Sequence, residues 1–218
     1  MLNTHAPTAP LLQVNQLGKQ LGARVIFRSL SFAWARPELV CVRAPNGAGK
    51  TTLLTMLAGA ALPDAGRVLL QGLDLARSRE QAARQLAFVP DGCPIYPFLT
   101  GREWLAFAAS VHGNSPAASD ELVARFQITP HLDTRFGAMS LGTARKFLLA
   151  SALASDAPVL IMDEPTNGLD TRSLAVFKDC LDQRRSRGLV VLTCHDTQQQ
   201  QLLGVRTVEL ADLEAAPA

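Results

Sequence analysis

Residues 44–52 read Ala44-Pro45-Asn46-Gly47-Ala48-Gly49-Lys50-Thr51-Thr52. The apolar run 39–42 before them is typical of a buried strand, and the run 53–58 after them, closed by Gly59, predicts a helix. A strand, a loop of small residues and a helix in that order form the setting of a phosphate-binding loop. Small residues let successive backbone N–H groups point at phosphate oxygens, and the helix start adds the positive end of its dipole. The stretch therefore predicts a polyphosphate site.

Two side chains of this loop have separate predicted roles. Lys50 would reach the β- and γ-phosphates, and the Thr51 hydroxyl would bind Mg²⁺. The motif has glycine where this chain has Ala44, and because alanine resists positive φ we expect a slightly altered start of the loop. A chance turn is the alternative if the loop is considered alone. The predicted nucleotide-binding residues of the loop are Asn46, Gly47, Ala48, Gly49, Lys50, Thr51 and Thr52.

A second pattern lies at 159–165. Four apolar residues predict a buried strand, which is followed by Asp163, Glu164 and Pro165. Proteins of the α/β class bind ligands at this end of their strands. Asp163 is predicted to hold Mg²⁺, and Glu164 to polarise the attacking water as general base, an effect of roughly 10²–10⁴ in rate. The alternative is that the two acids only end a strand.

The periodicity of the chain predicts an α/β fold. Residues 1–10 are expected to be a mobile leader, strands are expected at 11–17, 25–32, 67–71, 86–89, 159–162 and 189–193, and helices at 78–85, 102–112, 119–126, 143–154 and from about 171 to a stop at Gly188. Strands alternating with helices imply a mostly parallel sheet covered on both faces, preceded by a small antiparallel sheet. We expect one domain over 1–218, with a core at 11–90 and 155–218 and an inserted helical subdomain at 91–154.

The composition narrows the class of protein. A formal net charge of +2 and 18% charged residues give no reason to expect a nucleic acid partner. The four cysteines show no C-x-x-C spacing, and Cys41 and Cys194 fall in predicted buried strands, so reduced core thiols in a cytosolic protein are expected. A basic segment followed by an apolar core is missing at the N-terminus, and no run of about 18 apolar residues occurs. We therefore expect neither a signal peptide nor a membrane span in this chain.

A third pattern, Met139-Ser140-Leu141-Gly142-Thr143, opens a predicted helix. Together with the two patterns above, it resembles the Leu-Ser-Gly-Gly-Gln signature of ATP-binding-cassette (ABC) ATPases. Ser140 and Gly142 match, and the other three residues differ. The resemblance extends from about residue 11 to 210 in the family's motif order and implies a P-loop NTPase core. Ser140 or Thr143 would serve equally well as an ordinary helix N-cap.

The family encloses two ATP molecules between two cassettes. The resemblance therefore implies that Ser140 and Gly142 grip the γ-phosphate of the nucleotide bound to the opposite subunit. It also implies that Asp170 contacts the partner near its phosphate loop, and that His195, after the strand 189–193, touches the γ-phosphate. Asp170 equally suits a helix N-cap, and the two roles can coexist. A lone histidine is more often structural than catalytic, but His195 follows a buried strand at the expected place.

Two further positions depart from the family pattern. The glutamine that senses Mg²⁺ aligns with Asp91, which could still reach the metal, directly or through water. The aromatic residue that stacks on adenine aligns with Leu21, so an apolar contact would replace stacking. Together with Ala44, these departures predict weaker nucleotide binding or slower turnover, but not lost activity, since the residues assigned to hydrolysis are present.

The resemblance implies an ATP-binding and ATP-hydrolysing subunit of an ABC transporter that uses ATP, Mg²⁺ and cassette dimerisation to drive a separate membrane permease. Residues 96–103 resemble the corresponding stretch of bacterial exporter cassettes, so export is expected. The chain would be cytoplasmic and peripheral on the inner face of the plasma membrane. It would pair with a second cassette, identical or not, and couple to the permease through the loop 91–100 and the helical subdomain. Two alternatives stay open: a soluble ABC-type ATPase acting on ribosomes or DNA, and a subunit that uses ATP for assembly and hydrolyses it poorly.

Overall fold

This computed structural model of the protein describes residues 9–215, excepting the side chains of Pro116 and Ala215. Residues 1–8 of the predicted leader lie outside the described residues. The strands of the described part are β1 (Leu12–Leu21), β2 (Arg24–Trp34), β3 (Glu38–Arg43), β4 (Ala65–Leu70), β5 (Leu73–Asp74), β6 (Leu86–Val89), β7 (Val159–Met162), β8 (Leu189–Leu192) and β9 (Arg206–Glu209). Its α-helices are α1 (Lys50–Leu57), α2 (Arg79–Gln85), α3 (Gly101–His112), α4 (Asp120–Arg125), α5 (Leu141–Ala154), α6 (Thr171–Arg184), α7 (Thr197–Leu203) and α8 (Leu210–Ala215).

The first sheet is antiparallel, with the strand order β2-β1-β4-β5. β1 pairs with β2 on one side and with β4 on the other, and Leu12 and Leu17 of β1 are fully buried. The turn between β1 and β2 places Gly22 at φ 58°, a conformation that glycine adopts without strain. The hairpin end sets Leu21 opposite Arg24. The predicted antiparallel sheet is confirmed.

The second sheet has the order β6-β7-β8-β3-β9, and all its strand pairs are parallel. The interior strands β7 and β8 are entirely apolar, because both faces of the sheet are covered. In β7, Val159 and Ile161 pack into one hydrophobic cluster, whereas Leu160 and Met162 pack into another on the opposite face. The predicted mostly parallel sheet is confirmed. Because β7, β8 and β3 are neighbours, the segments that follow them meet at one edge of this sheet.

Between β6 and β7, the described residues form helices and contribute no strand to either sheet. α3 begins with a capping box, in which the Thr100 hydroxyl accepts from the Glu103 N–H and the Glu103 carboxylate accepts from the Thr100 N–H. α3 also packs tightly on α5, since a Cβ on Gly101 would lie 2.5 Å from Cζ of Phe147. Side chains of α4 and α5 share one hydrophobic cluster with a face of the parallel sheet. The boundaries of a helical subdomain at 91–154 stay a prediction.

The predicted helix stop at Gly188 is wrong. α6 ends at Arg184, whose guanidinium donates to the carbonyls of Ser155 and Ala157. A Cβ on Gly188 would lie 2.5 Å from the carbonyl oxygen of Pro158. Glycine is therefore needed there because two backbone segments approach closely, and a close approach leaves the same mark in a sequence as a helix end.

The sequence pattern does not predict the elements after β8. α7 is capped by Asp196, whose carboxylate accepts from the N–H groups of Gln198 and Gln199, and it ends at Gly204 with φ 60°. β9 pairs with β3 at the edge of the parallel sheet and is mostly exposed. An exposed edge strand of four residues carries too little apolar alternation to be recognised from sequence.

The four cysteines are free thiols. Cys41 lies within β3, and burial, the largest cause, raises the pKa of its thiol to about 12. Cys194 is also buried, but it lies two residues after β8, whereas the sequence predicted it to lie within a strand. Among the described helices, none combines the length and apolarity that crossing a bilayer requires.

Candidate nucleotide-binding site

An open cavity of about 550 Å³ lies where the segments after β3, β6, β7 and β8 meet. It contains most of the residues predicted to form the site. Its lining is formed by Leu21, Arg24, Ile26, Asn46, Gly47, Gly49, Lys50, Thr51, Thr52, Asp91, Asp163, Glu164 and His195. Of the predicted loop residues, only Ala48 does not line it; its backbone N–H donates to the Pro45 carbonyl at 3.2 Å.

The phosphate loop joins β3 to α1, which begins at Lys50 and includes most of the predicted helical run 53–58. Gly47 and Gly49 have φ values of 75° and 105°. A Cβ on Gly49 would lie 2.6 Å from Cγ2 of Ile26, whereas a Cβ on Gly47 would meet nothing within 4 Å. Glycine is thus required at Gly49 for both conformation and space, and at Gly47 for conformation alone. Such turns leave backbone N–H groups free to form an anion-binding concavity at the helix start.

Two details of the loop bear on the predicted effect of Ala44 and on the predicted role of Lys50. Ala44 is not among the described residues with positive φ, so alanine meets no conformational conflict at the start of the loop. The Lys50 ammonium donates to the Ala44 carbonyl at 2.8 Å and to the Pro45 carbonyl at 3.3 Å. These bonds hold the Lys50 side chain across the loop and leave a third N–H donor for a phosphate oxygen.

Asp163 follows β7 directly and is 1% exposed. Its Oδ1 accepts a hydrogen bond of 2.6 Å from the Thr193 hydroxyl, which in turn accepts from the backbone N–H of Glu164 at 2.8 Å. The other oxygen, Oδ2, is buried with no hydrogen-bond partner among the described residues. A buried carboxylate oxygen without a donor is costly unless a cation binds it, so this side chain fits a Mg²⁺ ligand.

The donor set around the cavity suits a cation that shares its ligands with a phosphate. The Thr51 hydroxyl and the Asp163 carboxylate line the same cavity. Within the described part of the chain, no group of three or more His, Cys, Asp or Glu residues is placed to hold a metal. Mg²⁺ usually keeps several waters and takes one or two protein ligands plus substrate phosphates. The residues present therefore fit Mg²⁺ bound together with a nucleotide.

Glu164 is the most constrained residue of the site. It is buried and has φ 47°, a left-handed conformation that is rare for residues other than glycine. Burial raises the pKa of its carboxyl, and the neighbouring His195 partly opposes that shift. His195 Nε2 lies 3.1 Å from Oε1, and the His195 backbone N–H donates to Oε2 at 3.3 Å. A desolvated carboxylate held beside an imidazole is an arrangement that suits a general base.

The predicted signature residues lie outside the cavity lining. Ser140 is exposed and caps α5, where its hydroxyl accepts from the Thr143 N–H at 3.2 Å. Gly142 faces the Gly168 carbonyl, which would lie 3.3 Å from a Cβ placed on it. Neither residue lines the cavity that contains Lys50, so their predicted contact with a nucleotide stays a prediction.

Asp170 also lies outside the cavity lining and caps α6 by accepting from the Ser173 N–H at 2.8 Å. The Lys146 ammonium lies 2.7 Å from its carboxylate and, as the largest cause, holds the pKa of Asp170 well below its usual range. The capping role anticipated for Asp170 is therefore present. Its predicted contact with a partner stays a prediction.

Sequence reasoning missed three residues of the site. Thr193 bridges the two carboxylate residues through a single hydroxyl. The Arg24 guanidinium donates to the Gly47 carbonyl at 2.8 Å and lines the cavity. Arg145 is fully buried behind the carboxylates and contacts the backbone of both. A polar residue at the end of an apolar strand could have indicated Thr193, but no local signal distinguishes Arg24 or Arg145 from surface arginines.

The fold and the site define a P-loop ATPase, and its similarity to known proteins identifies its family. The family model described as "ABC transporter" matches residues 27–167, more than half of the chain. "Cytochrome c biogenesis ATP-binding export protein CcmA" of Pseudomonas fluorescens (strain Pf0-1) is 33% identical over 209 residues, which cover 94% of this chain and 98% of that protein. "Nod factor export ATP-binding protein I" of Paraburkholderia xenovorans (strain LB400) is 34% identical over 197 residues, 88% of this chain and 65% of that protein.

A solved structure titled "Structure of ATP binding subunit of ABC transporter" is also similar. It superimposes with a TM-score of 0.83 at 27% identity over 92% of this chain and 85% of that one. The chain belongs to the ABC transporter family, and it is an ABC-type ATPase. The predicted P-loop NTPase core is thereby confirmed.

Proposed function

We propose that this chain is the ATP-hydrolysing subunit of an export-type ABC transporter and acts on a separate membrane permease. The observation that carries the proposal is the convergence of Lys50, Asp163, Glu164 and His195 on one cavity. The names of two relatives support export. One is a cytochrome c biogenesis ATP-binding export protein, and the other is a Nod factor export ATP-binding protein. The permease is a separate chain, and the cargo depends on that chain.

Groups of residues in the cavity have different tasks in hydrolysis. The loop N–H groups and Lys50 hold the β- and γ-phosphates. Thr51 and Asp163 would hold Mg²⁺, which when bound would supply positive charge against the phosphates. Glu164 orients the attacking water and accepts its proton, because its carboxylate is desolvated and aimed by the Thr193 contact at its backbone. His195 lies beside that carboxylate and is exposed enough to face the γ-phosphate. Catalysis is mainly positioning and electrostatic stabilisation.

The exposed start of α5 supports the proposal that the chain dimerises with a second cassette. Ser140 and Leu141 lie exposed at the start of α5, and Leu141 is 65% exposed although it is apolar. The start of α5 supplies backbone N–H groups and a serine hydroxyl, which suit an anion. We propose that this surface closes over the nucleotide held by a second cassette, identical or related, and that hydrolysis reopens the pair.

The permease is proposed to dock on the segment 91–100, which leads from the cavity to α3. Tyr96 and Phe98 of this segment are 69% and 63% exposed, and their rings stack with centroids 5.5 Å apart. Two stacked aromatic rings left in water suit an apolar contact with another protein. Asp91 at the start of the same segment lines the nucleotide cavity, so docking and catalysis share one stretch of chain. This contact would hold the chain at the cytoplasmic face of the membrane.

Purification of the chain from membranes together with its bound proteins tests the proposal. We expect a multispanning protein to co-purify and Mg²⁺-dependent ATP hydrolysis to accompany the complex. Tyr96→Ala combined with Phe98→Ala should release the chain from that protein while the basal ATPase activity stays unchanged. Leu202→Ala, which shortens an exposed apolar side chain of α7 outside the helical subdomain, is the matched control and should not release it. Recovery without any membrane protein, or bound to ribosomes or DNA, would contradict the proposal.

A further inference from the structure

Arg145 is a charged side chain that the mechanism above does not use. It lies in the second turn of α5, five residues after Ser140, and is 2% exposed. Burying a guanidinium is costly unless its donors are bonded and its charge is paired. The contacts that compensate this cost therefore indicate what the residue does.

The Arg145 guanidinium reaches two loops at the edge of the parallel sheet. Its Nη2 donates to the carbonyl of Asp163 at 3.0 Å and to the carbonyl of Glu164. Its Nη1 donates to the Gly92 carbonyl at 3.4 Å and lies 3.5 Å from Oδ1 of Asp91. One side chain on α5 thus joins the start of the segment 91–100 to the backbone of Asp163 and Glu164.

The Asp91 carboxylate compensates the buried charge of Arg145. Among the described residues, Asp91 supplies the one carboxylate within 4 Å of the buried guanidinium, and its own side chain is 54% exposed. Glutamine, which the family pattern has at this position, could accept a hydrogen bond but could not neutralise the charge. The aspartate in this chain therefore has an electrostatic reason that is independent of any metal.

The guanidinium also acts on a strained part of the backbone. Glu164 has φ 47°, and its carbonyl accepts from Nη2 of Arg145 while its N–H donates to Thr193. A non-glycine residue keeps such a conformation only where its surroundings hold it. The Glu164 backbone is thus held on both sides of its Cα, by Thr193 at the N–H and by Arg145 at the carbonyl.

We propose that Arg145 is a positioning residue that links Asp91 to the orientation of Glu164. The proposal rests on the proposed function, since it assigns Glu164 to hydrolysis. Asp91 holds the guanidinium, and the guanidinium holds the Asp163–Glu164 backbone in the conformation that directs the Glu164 carboxylate into the cavity. Only the planar fork of arginine can reach both loops at once, because a lysine ammonium is a single point on a flexible stem.

The test compares Arg145→Lys, Asp91→Asn and the double variant with the parent. Each single variant should lower kcat for ATP about 10- to 100-fold with little change in KM, because misplacing a catalytic group by about 1 Å has that cost. The double variant should be no slower than the slower single variant, since both changes remove one linkage. Arg125→Lys is the matched control: Arg125 ends α4 and pairs with Asp179 of α6, away from the cavity, and its replacement should leave kcat unchanged.

Three outcomes would overturn the proposal. The first is a parent-like kcat in Arg145→Lys, or a loss equal to that of Arg125→Lys. The second is independent, multiplying effects of the two changes together with a higher Mg²⁺ requirement in Asp91→Asn, which would assign Asp91 to the metal alone. The third is a lower melting temperature of Arg145→Lys with the parent's kcat for the folded fraction, which would make its role structural. Asp91→Asn alters a half-exposed side chain, so it keeps the test available if Arg145→Lys does not fold.

A second measurement separates this proposal from the function on which it rests. Amide hydrogen exchange in segments that contain 163–165 should accelerate in both Arg145→Lys and Asp91→Asn but not in Arg125→Lys. This readout needs no ATP hydrolysis. If the parent hydrolyses no ATP, the proposed function fails while the linkage is still tested by exchange; unchanged exchange in both variants would refute the linkage itself.

Discussion

The two halves of the site are built in opposite ways. The phosphate loop is exposed over Pro45, Asn46 and Gly47, and its conformation depends on left-handed glycines and on a lysine bonded to its own loop. The carboxylate half is buried, and hydrogen bonds to side chains or backbone hold Asp163 and Glu164 on several sides. The difference matches the chemistry, since binding a polyphosphate needs many accessible N–H groups whereas activating water needs few groups held rigidly in a dry setting.

Glu164→Gln gives the largest expected effect and isolates the buried half. We expect kcat for ATP to fall about 10²–10⁴-fold while nucleotide affinity stays near the parent value, because the amide cannot accept the proton of water. Phosphate release and equilibrium nucleotide binding measure the two quantities. Glu121→Gln, which replaces an exposed glutamate in α4, is the control. Equal turnover of parent and Glu164→Gln would remove Glu164 from the mechanism.

Lys50→Met isolates the exposed half. The loss of the ammonium should reduce hydrolysis about 10²–10³-fold, the range found when one preorganised donor to a developing charge is removed. Unlike Glu164→Gln, this variant should also bind ATP more weakly, because Lys50 contacts the phosphates before the reaction. Titration with nucleotide distinguishes the two variants, and full retention of affinity would show that Lys50 stays bonded to its loop carbonyls.

Gly49→Ala tests whether the loop conformation is as demanding as the geometry indicates. The added Cβ would meet Ile26 at 2.6 Å and Phe27 at 3.0 Å in a left-handed conformation, and these two effects should together destabilise the fold by about 3 kcal/mol. Gly47→Ala is the matched control, because its Cβ meets nothing and only the left-handed conformation costs about 1–2 kcal/mol. Denaturant unfolding measures both, and equal losses would mean that space at Gly49 is not limiting.

Thr193→Val removes the hydroxyl that connects Asp163 to the Glu164 backbone without changing the side-chain shape. The free energy of unfolding should fall by about 1–3 kcal/mol, because a buried carboxylate oxygen and a buried N–H lose their partner. Thr207→Val in the exposed part of β9 should stay within about 0.5 kcal/mol. A Thr193→Val protein as stable as the parent would show that the carboxylate half is not held by this hydroxyl.

The smallest expected effect is a pH dependence from Glu164. Because burial raises its pKa, the carboxyl adds stability that is fully present below its ordinary value of 4.5 and is lost as pH rises through the folded-state pKa. Glu164→Gln lacks this titration, so its melting temperature should increase relative to that of the parent as pH rises from about 4 toward neutrality. Thermal unfolding across that window measures the difference. A constant difference would mean that the Glu164 pKa is the same in the folded and unfolded states.

Local patterns in both halves could be predicted from sequence, whereas the long-range contacts that hold the carboxylates could not. The phosphate loop, α1, β6 and β7 are local patterns, and sequence reasoning found them because apolar runs and small-residue loops carry their own signal. The hydrogen bonds of Thr193 and the contacts of Arg145 span 18 to 54 residues in sequence, so no local pattern contains them. Gly188 shows the converse error, since its local signal was genuine but its cause was a distant carbonyl.

The sequence by itself determined the class of chemistry. Lys50, Thr51, Asp163 and Glu164 follow apolar strands, and such strands must be buried side by side, so their ends share one edge. The tertiary structure alone decided how the carboxylates are held and which charge compensates which. Burial raised the pKa of Glu164, and it left the charge of Arg145 to be compensated by the Asp91 carboxylate. Both effects arise because water is removed around groups that are far apart along the chain.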